Sequence, residues 1–76
     1  MGKLPISNHI RRLRFENGEM TQRQLAQQVD VTRQTINAIE LGKYSPSLEV
    51  AFRIAAVFGL PLEEVFEYHG QDKEQE

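Results

Sequence analysis

Arg33, Gln34 and Asn37 lie close together in the chain and, at helical spacing, fall on one polar side. Arginine, glutamine and asparagine are the side chains able to pair through two hydrogen bonds with base edges in the major groove of duplex DNA. On an isolated helix the same residues would be ordinary solvated surface. The elements that hold them therefore decide what they can do.

Other chemistry finds little material here. The chain has no cysteine, which excludes thiolate zinc sites, thiol catalysis and a disulfide-braced scaffold. His9 and His69 are far apart in sequence and have no companions at ligand spacing, so no metal site is expected. No Ser-His-Asp set or glycine-rich phosphate loop can be assembled, and Glu63-Glu64 suits the dipole of a helix start. The expectation is a non-enzyme without cofactor or metal.

The hydrophobic period predicts an all-α fold of five helices with short connections, and no alternating strand pattern is visible. The first helix is expected from Ser7 to Asn17, with Ile6, Ile10 and Leu13 at helical spacing, Ser7 or Asn8 as cap and Gly18 as stop. Thr21 and Gln24 form a capping box for the second, Gln22 to Val29, which turns Leu25, Ala26 and Val29 inward. After the short Asp30-Val31 connection, Thr32 caps a third helix carrying Ile36 and Ile39 and ending near Leu41-Gly42. Ser47 caps a fourth, to Phe58, and Pro61 opens a last short one with Leu62, Val65 and Phe66 inward. Small Ala26 lets the second and third helices approach, which is helix-turn-helix spacing. Arg33, Gln34, Asn37 and Ala38 are then presented outward, clustered at the amino end of the third helix, as a recognition helix requires.

The fourth helix is apolar nearly all round, broken only by Glu49 and Arg53. Such a helix must be buried on nearly all sides. In a chain of 76 residues one core cannot cover all of it, so part of its surface is expected to meet another subunit.

Charge at first argues against nucleic acid, since the formal net charge is −2. The distribution argues otherwise. Through Leu60 eight basic residues face five acidic ones, a net +3; from Pro61 onward six acids face only Lys73, a net −5. Residues 1–68 are read as one domain and 69–76 as an acidic polar tail, expected to lie away from the groove. No apolar run approaches the roughly 20 residues of a membrane span. The expected location is cytoplasmic.

From Met20-Thr-Gln-Arg-Gln-Leu-Ala through Val31-Thr-Arg-Gln-Thr-Ile-Asn-Ala-Ile-Glu-Leu-Gly-Lys43, and on through Pro46-Ser-Leu-Glu and Ile54-Ala to Phe58-Gly, the chain resembles the Cro/CI-type helix-turn-helix regulators of bacteria and phages. The resemblance covers roughly Ile6 to Phe66. It implies a compact, phage-repressor-like five-helix domain that binds double-stranded operator DNA, usually as a homodimer, and regulates transcription, more often as a repressor. By position, Gln22 matches a residue that bonds a phosphate and braces the recognition helix. Thr32, Arg33, Gln34 and Thr35 match positions that reach bases or flanking phosphates, with Asn37 one turn further in. Lys43 and Tyr44 match a loop that grips the DNA backbone. Arg14 and Glu40 match a partly buried ion pair, although Arg14 also suits phosphate contact. Asp30 stands where the family usually has glycine at positive φ, and Glu19 is an extra residue before the second helix. Phe52, together with Phe66 and Tyr68, is the expected dimer surface. The competing expectation is an antitoxin-like or co-regulator module that uses the apolar fourth helix to bind a different protein.

Overall fold

A computed structural model of the protein describes residues 5–70. Five helices follow one another in the expected order: α1 (Ile10–Glu16), α2 (Gln22–Val29), α3 (Arg33–Glu40), α4 (Leu48–Phe58) and α5 (Leu62–Val65). Ile10, Leu13, Leu25, Val29, Ile36, Ile39, Ile54 and Val65 close around Ala26 and Ala55 to form the core. Every helix contributes. Fully burying an isoleucine or leucine contributes about 1.5–3 kcal/mol, so the two isoleucines of α3 suffice to hold its opposite side outward.

Two short strands complete the fold, β1 (Ile6–Asn8) and β2 (Phe66–Tyr68), paired antiparallel with Ser7 opposite Glu67. They correct the sequence reading at both ends. Ser7 and Asn8 belong to β1 instead of the first helix, which starts at Ile10, and Phe66 leaves α5 for β2. Strands of three residues are too short to display alternation, and their pairing joins positions at opposite ends of the domain. Around the sheet, His9 Nε2 donates to Glu67 Oε2 at 2.9 Å, and Ser7 Oγ lies 2.8 Å from His69 Nε2. The hydrogen bond and charge of His9 hold the Glu67 carboxyl below its ordinary value.

His69, assigned above to the tail, also donates its backbone N–H to Pro5 O at 2.6 Å. It lines a shallow groove with Leu41 and Gly42. The chain thus leaves the sheet beside the end of α3, because β2 pairs with the strand that abuts α3. Residues 71–76, with the rest of the acidic tail, lie outside the described residues.

Among the described residues, two other than glycine adopt positive φ, Asp30 at 62° and Glu19 at 56°. Asp30 ends α2 in the left-handed conformation, and its N–H returns to Ala26 O. Asp tolerates this region better than most side chains. Among the described residues, no helix is long and apolar enough to cross a membrane.

Candidate nucleic-acid interface

Local capping sets the two central helices before packing joins them. Thr21 Oγ1 accepts from the Gln24 N–H at 3.0 Å while Gln24 Oε1 accepts from the Thr21 N–H at 2.9 Å. Thr32 Oγ1 accepts from the Thr35 N–H at 3.1 Å and starts α3. Each such cap contributes about 1 kcal/mol. The buried seam of Leu25, Ala26, Val29, Ile36 and Ile39 then brings α2 and α3 together.

Along the edge of that seam runs a continuous polar chain. Arg14 donates from Nε to Glu40 Oε2 at 2.6 Å, from Nη2 to Glu40 Oε1 at 3.0 Å, and from Nη1 to Met20 O at 2.8 Å. Its side chain is 15% exposed and that of Glu40 7%, so the pair is screened little by solvent. Gln22 Nε2 donates to Glu40 Oε1 and to Asn37 Oδ1, each at 3.1 Å. Arg33 Nη1 donates to Gln22 Oε1 at 3.2 Å. The structure therefore brings Arg14, Gln22, Arg33, Asn37 and Glu40 into one network.

The other candidate residues stand apart from it. Thr32 and Thr35 bond each other's hydroxyls at 2.9 Å, while the Gln34 amide is exposed and makes no hydrogen bond among the described residues. Beyond the end of α3, Lys43 is exposed without an ion pair among the described residues, and its N–H donates to Ala38 O. Tyr44 follows it, also exposed. With Glu40 neutralised by Arg14, the outward side of this region carries the positive charge of Arg33 and Lys43. Such a surface can donate hydrogen bonds to bases and phosphates.

Two residues position the site through contacts with other elements that the sequence does not reveal, although Asn8 is a candidate cap for the first helix. Asn8 Nδ2 donates to Ile39 O at 2.9 Å and so fastens β1 to the last turn of α3, while its Oδ1 caps the Ile10 N–H. Arg53 Nη1 donates to Val29 O at 3.2 Å and holds the end of α2.

A second, unlike surface lies on α4. Only Ala51, Ile54 and Ala55 of this helix are buried, and Val50, Val57 and Phe58 are partly covered. The domain's own core thus leaves part of the apolar surface of the helix uncovered, as expected for a chain of this size. Leu48 is 67% exposed and Phe52 54%, because α5 is one turn long and covers a single side of α4. Next to them, Ile6, Pro46, Leu48, Ala51, Leu62 and Phe66 line an open groove of about 320 Å³. Phe66 packs partly against the core and Tyr68, at the end of β2, is 70% exposed.

Comparison with known proteins agrees with this geometry. A helix-turn-helix family model of the Cro/CI type matches residues 10–65. An uncharacterized HTH-type transcriptional regulator of Methanocaldococcus jannaschii is 51% identical over 53 residues, which is 70% of this chain and 80% of that protein. Another, from Archaeoglobus fulgidus, is 44% identical over 67 residues, covering 88% of this chain and 94% of its own length. In fold, the chain is similar to the crystal structure of a candidate DNA-binding protein from Bacteroides fragilis. The TM-score is 0.70 at 22% identity, with 82% of this chain and 98% of that one covered.

Proposed function

Because the chain belongs to the Cro/CI-type helix-turn-helix family of DNA-binding transcriptional regulators, we propose that it is a dimeric repressor acting on a two-fold-symmetric operator. The observation that carries this reading is the tethered, outward Arg33 at the amino end of α3, held by Gln22 on α2. In this reading α3 enters the major groove, and Arg33 supplies the main base-specific contact, since arginine to guanine is the commonest one. Gln34 and Asn37 read neighbouring bases. Thr32 and Thr35 meet flanking phosphates. Gln22 meets one through its backbone N–H at the start of α2, while its side chain braces α3. Lys43 and Tyr44 grip the backbone beyond α3. Two copies joined through Phe52, Phe66 and Tyr68 set their recognition helices about 34 Å apart, one turn of DNA. Occupancy of a promoter by this pair occludes it from transcription, in the cytoplasm where the chromosome lies.

Binding-site selection from random duplexes, followed by affinity measurement on the selected operator, tests the reading. Arg33→Ala is expected to weaken the operator by about 1–3 kcal/mol and to relax one base position. Unchanged selectivity would overturn the assignment of Arg33.

The uncovered α4 groove favours a second reading, an antitoxin-like or co-regulator module that docks a different protein there. Retardation of a fragment carrying its own promoter by the purified protein alone separates the two. The repressor does this unaided and the module does not.

A further inference from the structure

The polar chain around Gln22 has a direction, and its charged neighbours impose it. Glu40 is paired with Arg14 and, as a carboxylate, has no proton to give. The Gln22 atom 3.1 Å from Glu40 Oε1 is therefore the amide nitrogen. At the other end of the same amide, Gln22 Oε1 faces Arg33 Nη1 at 3.2 Å, and a guanidinium can only donate. Both neighbours demand one orientation. Since Gln22 Nε2 also lies 3.1 Å from Asn37, the Asn37 atom turned toward it is the carbonyl Oδ1. The Asn37 amide nitrogen, on an exposed residue, has no partner among the described residues.

We propose that Asn37 meets DNA through its NH₂ group and so selects the two-acceptor edge of guanine over the donor-acceptor edge of adenine. The inference rests on the reading of α3 as the base-contacting helix. Asparagine recognises adenine by accepting from N6 while donating to N7. Here one lone pair of the carbonyl accepts from Gln22, which holds the oxygen turned toward α2 and leaves the NH₂ as the unpartnered end of the amide. Rotating the amide would set its NH₂ against the NH₂ of Gln22. Guanine offers O6 and N7, both acceptors, to the two N–H groups that remain. Arg33, one helical turn away, can only donate, so it and the Asn37 NH₂ together favour acceptors. Gln34, with a free amide, keeps both roles and differs from Asn37 for that reason.

Selection from random duplexes with the wild type and with Asn37→Ala, Asn37→Asp and Gln22→Ala tests this, with circular dichroism checking that each variant folds. The expected wild-type pool contains a G·C pair whose preference disappears with Asn37→Ala. On that operator Asn37→Asp, which turns a carboxylate toward acceptors, is expected to bind about tenfold or more weakly. Gln22→Ala frees the Asn37 carbonyl, and the same position is expected to admit A·T. An A·T pair at that position in the wild-type pool would overturn the proposal. Asn37→Asp binding as well as wild type would do the same, as would an Asn37→Ala pool that loses no preference. An unchanged preference in Gln22→Ala would overturn the orienting role of Gln22. A wild-type pool without any enriched sequence overturns base reading by α3 itself and the proposal with it.

Discussion

The α2–α3 edge and the outer side of α4 are both exposed, yet they are built in opposite ways. Around α3 the polar groups are largely spoken for: Arg14, Glu40, Gln22, Asn37 and Arg33 bond one another, so side chains that are long and flexible by nature are held in place. On α4 the large exposed apolar groups are Leu48 and Phe52, which have nothing to bond, and Leu48 lines an open apolar groove. Ordering costs conformational entropy. The first surface meets that cost within the fold, through an ion pair that is mostly buried. The second leaves apolar area in water. A partner covering it would gain the hydrophobic contribution that the domain alone cannot collect.

Breaking the polar edge at its anchor is expected to have the largest effect. Glu40→Ala leaves Arg14 without its carboxylate and releases Gln22, and is expected to destabilise the fold by about 3 kcal/mol. In a domain of this size that lowers the melting temperature by about 12 °C or more, read by thermal denaturation. A melting temperature close to wild type would mean that the network does not support α3. Placing a charge on the apolar side tests the other half of the comparison. Phe52→Glu is expected to weaken self-association by about 30-fold, a hot-spot cost near 2 kcal/mol, while leaving the monomer folded. Sedimentation across a concentration series measures it, and a wild type that stays monomeric throughout removes the dimer surface.

A smaller effect is expected at the rim of the proposed DNA face. Lys43 has no protein partner among the described residues, so Lys43→Ala should leave stability intact and weaken all DNA sequences alike. The salt dependence of binding should flatten by about one unit. A change in base preference would instead make Lys43 a base reader. The smallest effect concerns the sheet. The Glu67 carboxyl is held below its ordinary value by the His9 hydrogen bond and charge. Its contribution is therefore present above the ordinary carboxylate range and lost as pH falls through the lowered value. Glu67→Gln should remove that part of the acid limb from a melting-temperature profile without altering DNA affinity at neutral pH.

Much of the fold is legible in the sequence, and for local reasons. Thr21 with Gln24, Thr32 and Ser47 mark helix starts through bonds that close within one turn. Gly59 marks a stop through its left-handed backbone at φ 68°. Inward faces followed from spacing alone, and Ile36 and Ile39 are indeed buried. The strands were not legible. Ile6–Asn8 and Phe66–Tyr68 are each too short to show a period, and each is a strand only because the other lies beside it. The extent of cover on α4 was not legible either. Composition shows how apolar a helix is, whereas the length and placement of its neighbours decide which side stays wet.

The candidate site divides along the same line. Residue types and spacing by themselves determined a helix-turn-helix with Arg33, Gln34 and Asn37 facing outward, since caps, periodicity and the seam around Ala26 are properties of short segments. Only the tertiary structure decided that Gln22 reaches Arg33, Asn37 and Glu40 at once, and that Asn8 ties β1 to α3. Hydrogen bonds between elements depend on distances of about 3 Å. Such distances are set by how whole helices pack, and no single stretch of sequence contains them.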